Sequence, residues 1–522
     1  MLRSVLTVGG WTMVSRILGF ARDMLVAARL GAGPVADAFF VALKLPNLFR
    51  RLFGEGAFNA AFIPAFAGSL VKEGRIAAQD LAERMGSLLG LWLGLLTVLG
   101  LIFMPQVLVV LAPGFQADPA KFTLAVELTR ITMGYLPLIC LTALISGVLN
   151  GLDRFAAAAA APILFNLFLM AALVGLAPYV ATPGHALAWG VLASGVVQLA
   201  MVWVAARQAG MALNLFRRPS LTPPVMLVLR RMAPGVLGAG VTQINLAVDV
   251  IIASLLPSGA VSYLYYADRV AQLPLGVVGA AMGTALLPLL SRQLRARQRL
   301  SAHRSLNRGM ELALLLTLPS AAGLAAAAGP IVDALFLRGA FGADAARASA
   351  TALVAYAFGL PAFVLVKVFA PGFFARGDTT TPVKIGLAVV ALNLALNLLF
   401  MSWLAHVGVA LATACAAWVN AGLLAWLLGR RHILVLDRRS RRVLPRIVLA
   451  SAAMGVCVAG LAAILPEAGT SLLRLAWALV LIGTGSAVYG GLVIWLGACS
   501  PREMLRALRR SRGPSPAAKQ QG

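Results

Sequence analysis

Acidic residues are scarce in this chain. Only 18 Asp and Glu stand against 44 Lys and Arg in 522 residues, and charge of either sign amounts to 12%. Soluble domains carry about 25% charged residues, so a soluble fold is excluded. A transport cavity for organic cations would need acids, and few are present. Cysteine is rarer still. Cys140, Cys415, Cys457 and Cys499 lie singly in or beside apolar stretches, with no disulfide or metal spacing, and read as small hydrophobes. His185, His303, His406 and His432 form no cluster. No phosphate-cradling Walker motif and no nucleophile–base arrangement occurs.

What the chain has is apolar length. Hydrophobic residues make up 60% and mean hydropathy is +0.89. Runs of about 20 apolar residues, each long enough to span a bilayer, recur from end to end. Continuous runs exclude a β-barrel, whose strands alternate in short segments. The expected fold is an all-α polytopic membrane protein with about fourteen helices. The segments fall at 4–28, 36–70, 86–111, 123–149, 157–180, 186–206, 233–256, 260–290, 309–328, 348–375, 383–403, 407–429, 444–465 and 473–498. The first is not a cleavable signal peptide, because Arg16, Arg22 and Asp23 interrupt it.

The net charge of +26 does not imply nucleic acid. Lys and Arg concentrate in alternate loops, at 71–85, 207–232, 291–308, 430–446 and after 499. That asymmetry puts both termini in the cytoplasm. Clusters such as Arg217-Arg218 and Arg438 to Arg446 suit topology and anionic lipid heads. The tail 501–522 is basic, then Pro/Ala/Gln-rich, and is expected to be disordered.

A weak internal repeat has an offset of six helices. Gly147 to Asp153 matches Gly372 to Asp378, each followed by a proline (Pro162, Pro382) expected to open the next helix. Pro46 and Pro64 resemble Pro274 and Pro288. The expected organisation is an N-lobe at 1–225, a C-lobe at 226–432, and two further helices after a basic linker at 433–500. Such repeats surround a central cavity in known transporter plans.

Cations inside membrane-length segments carry the functional signal. Placing one at mid-bilayer costs at least about 2.5–3.5 kcal/mol, so it normally faces an internal, water-filled cavity. Ser15, Arg16, Arg22 and Asp23 lie in the first segment, and Arg16 and Asp23 share a helix face. Asp37, Lys44 and Arg51 follow at intervals of seven in the second, beside Asn47 and Arg50, with Glu55 one turn on. Arg269 stands next to Tyr263, Tyr265, Tyr266 and Asp268, a patch suited to phosphate and to sugar or apolar groups. Arg130 and Lys367 lie near segment edges or alone. Several such cations imply an anionic cargo. Snorkelling and boundary ion pairs are the plainer explanations for Arg22-Asp23, Arg50-Arg51 and Asp268-Arg269. A second set, Asp249, Asn393, Asn397 and Thr413, offers oxygen donors for a hard cation such as sodium. Interhelical hydrogen bonding explains those residues equally well.

The runs Ser15 to Asp23 and Asp37 to Arg51, together with Glu55 to Phe58, Tyr265 to Arg269 and Lys367 to Lys384, resemble the MurJ (MviN) family of lipid II flippases. That family belongs to the multidrug/oligosaccharidyl-lipid/polysaccharide exporter superfamily, and the resemblance spans the chain. It implies a two-lobed fold with two extra C-terminal helices. It also implies essential cavity arginines at Arg16, Arg22, Arg50 and Arg269. Supporting polar positions fall at Ser15, Asp23, Asp37, Lys44, Asn47, Glu55 and Ser262. The family's sodium site resembles Asp249, Asn393, Asn397 and Thr413. One departure is Gln272, where some members carry an acid near Arg269.

The resemblance implies a transporter rather than an enzyme. Its cargo would be lipid II, flipped from the inner to the outer leaflet of the bacterial cytoplasmic membrane for cell-wall synthesis. No cofactor is expected beyond a sodium ion, and the membrane potential would drive the cycle. Membrane lipids and the cell-wall synthesis machinery are the expected partners. The rivals are an exporter of drugs or of another lipid-linked oligosaccharide, and a polyprenyl-phosphate enzyme. The enzyme would need catalytic acids in inner loops, and Glu73, Asp80, Glu83 and Asp153 lack such spacing.

Overall fold

A computed structural model describes residues 2–51, 57–215, 217–466 and 469–498. Glu55, Cys499 and the 501–522 tail lie outside the described residues. Helix accounts for 87% of the structure, and no strand occurs among the described residues. The fold is all-α, as the apolar runs require.

The first helices are α1 (Leu2–Leu30), α2 (Pro34–Ala42), α3 (Lys44–Phe49), α4 (Ala57–Lys72), α5 (Arg75–Ile102) and α6 (Met104–Leu111). Then come α7 (Pro119–Met133), α8 (Tyr135–Gly151), α9 (Phe155–Ala171), α10 (Pro183–Gln208), α11 (Pro223–Ser254) and α12 (Ala260–Arg295). The last six are α13 (Arg299–Ala326), α14 (Ala328–Phe336), α15 (Ala343–Phe374), α16 (Thr380–Arg430), α17 (Arg438–Ile464) and α18 (Ser471–Trp495).

Nine helical segments among the described residues are long and apolar enough to cross a bilayer, with α7 and α8 counted as one. The expected segments do not map onto these one for one. Those at α1, α11 and α12 are not among the nine, and the second is interrupted. The segments 383–403 and 407–429 both fall in α16 but are two helices, as expected, separated by a kink at Ala405, whose φ is 46° and ψ −127°. Pro162 does not open a helix but lies inside α9.

The second segment breaks for a local reason. Pro46 has no N–H to give the Ala42 carbonyl, so α2 ends at Ala42. Thr132 Oγ1 on α7 donates to that carbonyl instead, at 3.0 Å. After the break α3 carries Lys44 and Asn47.

The chain divides into two compact units. The first holds residues 1–266 with 336–349 and 390–409. Its core includes Phe39, Phe40, Tyr266, Phe336 and Phe341, all fully buried. Two glycines fix one approach within it. Gly31 (φ 66°) faces Ala340 O, and Gly339 (φ 57°) faces Ala28 O, where added β-carbons would lie 2.5 and 2.3 Å away. Ala340 N donates to Ala28 O at 2.9 Å. The second unit holds 267–335, 350–389 and 410–522. Its core joins Met282 and Leu286 of α12, Leu306 and Met310 of α13, Val368 and Phe373 of α15, and Leu424 and Leu428 of α16. Close packing of this kind drives helix association in lipid, where burial from water adds little.

Candidate functional site

Three polar constellations lie in the first unit. In the first, Arg22 is 9% exposed and Asp23 is 4%. Arg22 Nη2 and Nε donate to Asp23 Oδ1 at 2.7 and 3.1 Å. Arg22 Nη1 donates to Asn166 Oδ1 on α9 at 2.9 Å. Asn166 Nδ2 in turn donates to the Ser15 carbonyl at 3.0 Å. The Phe165 ring lies 5.5 Å from the guanidinium, and Tyr265 OH donates to Asp23 Oδ1 at 3.2 Å. The guanidinium is therefore held in one orientation by a carboxylate, an amide and a ring. Its charge is shared with one acid rather than cancelled by several. Arg16, about 9 Å up the same helix, is exposed. Ser15 enters through its carbonyl.

The second constellation is a lock around Asp37, which is 1% exposed. Its Oδ2 accepts from Lys121 Nζ at 2.8 Å and Gly259 N at 2.7 Å. Its Oδ1 accepts from Ser262 N at 2.9 Å and Ser262 Oγ at 2.6 Å. Lys121 Nζ also lies 4.2 Å from the Phe115 ring centroid. Four donors use the acceptor capacity of a buried carboxylate. The lock thereby ties α2 and α7 to the start of α12.

In the third, Asp249 Oδ1 of α11 accepts from Asn393 Nδ2 at 2.8 Å and Asn397 Nδ2 at 3.1 Å. Both asparagines are fully buried. Their Oδ1 atoms are buried without a hydrogen-bond partner. Amide orientation follows the hydrogen-bond network, and turning both amides would aim two oxygens toward the carboxylate. One carboxylate and two amide oxygens suit a hard cation, so the residues fit a sodium ion. Among the described residues no three His, Cys, Asp or Glu side chains group as metal ligands. Thr413 falls in the second unit.

Elsewhere in the first unit, Arg50 Nε donates to Asn47 Oδ1 at 3.3 Å, one turn back. Lys44 is half-buried at the start of α3. Arg130 is exposed and donates to the Leu101 carbonyl at 3.2 Å.

Arg269 is half-buried on α12 in the second unit. Gln272 donates to Asp268, so the residue that replaces an acid satisfies Asp268. The expected aromatic patch beside Arg269 is corrected. Tyr266 is fully buried and donates to the Gly31 carbonyl at 3.2 Å. Tyr265 stacks on Phe40 at 3.8 Å. Tyr266 is thus taken up in packing, while Tyr265 is half-buried, with its hydroxyl on Asp23.

Asn166 and Lys121 were missed in the sequence. Asn166 had a signal, a lone amide in the apolar run Ile163 to Leu169. Two glutamates also gain a role. Glu83 on α5 accepts from Asn214 N at 3.1 Å and Arg217 Nη1 at 3.0 Å. Glu311 on α13 accepts from Ser440 Oγ at 2.6 Å and pairs with Arg308. Each buried carboxylate anchors a basic segment within its own unit, so Arg217 has a protein partner besides any lipid head.

Residues 26–477 match the family model described as Lipid II flippase MurJ. The chain is 44% identical over 525 residues to a probable lipid II flippase MurJ of Rhizobium meliloti, covering 99% of this chain and 97% of that protein. This chain belongs to the MurJ family. The lipid II flippase MurJ of Burkholderia cenocepacia is 38% identical over 439 residues, covering 83% and 84% of the two chains. A solved MurJ in an inward closed conformation shares the fold, with TM-score 0.76 and 23% identity over 93% of this chain and 98% of its own. An inward-facing multidrug transporter of the MATE family superposes with TM-score 0.70 at 16% identity, over 82% and 98% of the two chains. MurJ membership and the membrane-length helices make this a multi-pass membrane protein.

Proposed function

We propose that this chain is a lipid II flippase of the bacterial cytoplasmic membrane, with both termini in the cytoplasm. Identity to a relative named for that activity, extending over 99% of the chain, carries the proposal. The site chemistry agrees with it. Lipid II has a polyprenyl tail, a pyrophosphate and a disaccharide-peptide head, so its head is an anion. Arg16, Arg22, Arg50 and Arg269 supply cations within membrane helices, and Arg22 is oriented in advance by Asn166 and Asp23. Pre-orientation lowers the ordering cost of binding. The head would pass between two lobes by alternating access while the tail stays in lipid. Proteins of the cell-wall synthesis machinery would receive the product.

Asp249, Asn393 and Asn397 would hold sodium, which would supply a fixed positive charge joining α11 to α16. The membrane potential would drive the cycle, since each elementary charge moved is worth about 2.3 kcal/mol per 100 mV. The anionic head moves outward down the field, and an empty cationic carrier resets inward. The decisive experiment measures lipid II newly exposed at the outer leaflet in cells depleted of their own flippase and supplied with this chain. Exposure is expected with wild type and lost on collapse of the potential. Absence of exposure would refute the flippase assignment. Exposure that persists at zero potential and fails only on ATP depletion would refute the driving force alone.

A further inference from the structure

Lys367 is a cation in the inner half of α15, a helix of 32 residues that is apolar enough to span. It makes no hydrogen bond or ion pair among the described residues, yet its side chain is exposed. Its stem lies flat across Gly279 of α12 in the same compact unit. A β-carbon at Gly279 would stand 2.7 Å from Lys367 Nζ and 3.1 Å from Cδ. The groove that receives the lysine thus exists only because residue 279 has no side chain.

Three features set the surroundings. An unpaired ammonium facing hydrocarbon would be costly, so exposure at this depth means water or an anion. Pro371 lies one turn on inside α15 and cannot donate to the Lys367 carbonyl. Freed backbone of this kind is tolerated only where it meets protein or a hydrated cavity. Finally, Arg269, Gln272, Gly276 and Gly279 share one face of α12 by helical spacing. Arg269 and the turn crossed by Lys367 are therefore about 15 Å apart along that helix.

We propose that Lys367, seated on Gly279, is an anion station for the pyrophosphate of the lipid-linked substrate, on the inner side of Arg269. This rests on the functional assignment above. Chain direction places it there. With the N-terminus inside, α12 and α15 both run inward, and Lys367 sits seven residues, about 10 Å, before the end of α15 at Phe374. A phosphate entering from the inner leaflet meets this cation before Arg269. An ammonium serves as a point charge for phosphate without demanding a fixed approach, which suits capture more than final orientation.

The test compares wild type, Lys367→Met and Lys367→Arg, each as the full chain in nanodiscs, binding lipid II and undecaprenyl pyrophosphate across a salt series. Lys367→Met is expected to lose about tenfold in affinity for both lipids and to show a flatter salt dependence. Lys367→Arg is expected to retain wild-type affinity within about threefold. Thermal midpoints of the three proteins should agree. Wild-type affinity and salt slope in Lys367→Met would overturn the proposal. So would an equal loss in Lys367→Arg, since charge would then not be the cause. A wild type that binds undecaprenyl pyrophosphate but not lipid II would refute the flippase assignment, while the variant comparison still decides the role of Lys367.

Discussion

Asn166 Oδ1 accepts a hydrogen bond from Arg22 Nη1 at 2.9 Å, across 144 residues of sequence. A hydrogen bond to a charged group is worth about 1.5–3 kcal/mol, and here it sets the direction of a buried guanidinium. Asn166→Ala is expected to lower flipping by roughly tenfold or more while leaving membrane insertion intact. Asn166→Asp would add a second acid beside Arg22 and cancel its charge, with a loss at least as large. Complementation of a depleted strain and a leaflet-specific lipid II assay would check both. Wild-type rates in the two variants would exclude a positioning role.

The Asp37–Lys121 pair has side chains 1% and 4% exposed. Removing one member of a buried pair typically costs about 3–5 kcal/mol, because the other charge stays buried. Asp37→Leu or Lys121→Met alone should therefore destabilise strongly. The double variant should recover much of the loss, less the bonds from Gly259 and Ser262. Thermal unfolding in detergent measures this cycle. Additive losses would show that the two charges act independently.

The orphaned oxygens of Asn393 and Asn397 make sodium binding a direct prediction. Sodium should raise the thermal midpoint of wild type in a saturable way, as expected for a ligand that binds only the folded state. Asp249→Ala should abolish that increment, and potassium should not replace it. Identical midpoints with and without sodium would leave the three residues as an interhelical hydrogen-bond cluster.

The turn between α15 and α16 responds to pH. A hydrogen bond from Arg431 and two from Thr381 hold the Asp378 carboxyl down, to about 2. Arg431 Nη1 lies 2.6 Å from Asp378 Oδ2. An unfolded Asp titrates near 3.9. A depressed folded value means that the contribution is fully present above about pH 4 and is lost as pH falls through about 2. The gap in thermal midpoint between wild type and Asp378→Asn should thus be constant above about pH 4 and close below it. A gap independent of pH would assign the effect to the lost hydrogen-bond geometry instead.

By itself the sequence determined the all-helical membrane class, and it carried the motifs around Arg22, Arg50 and Arg269. Apolar length is a local property, summed along the chain, and needs no knowledge of partners. The Arg22–Asp23 pair was not legible, since helical spacing sets Asp23 on the face of Arg16 and Arg22 on a neighbouring one. Only the tertiary structure decided which side chain serves which. It joined Asp37 to Ser262, 225 residues away, and turned Tyr266 into packing rather than a ligand platform. It gave the Ala42 carbonyl to Thr132, and laid Lys367 across Gly279. It also drew the boundary of the first compact unit through α12 at Tyr266. The physical reason is the solvent. In lipid, outward-facing and partner-facing positions are both apolar, so the face that meets a neighbour leaves little periodic signal. The polar pairs made across those faces emerge only when the helices have met.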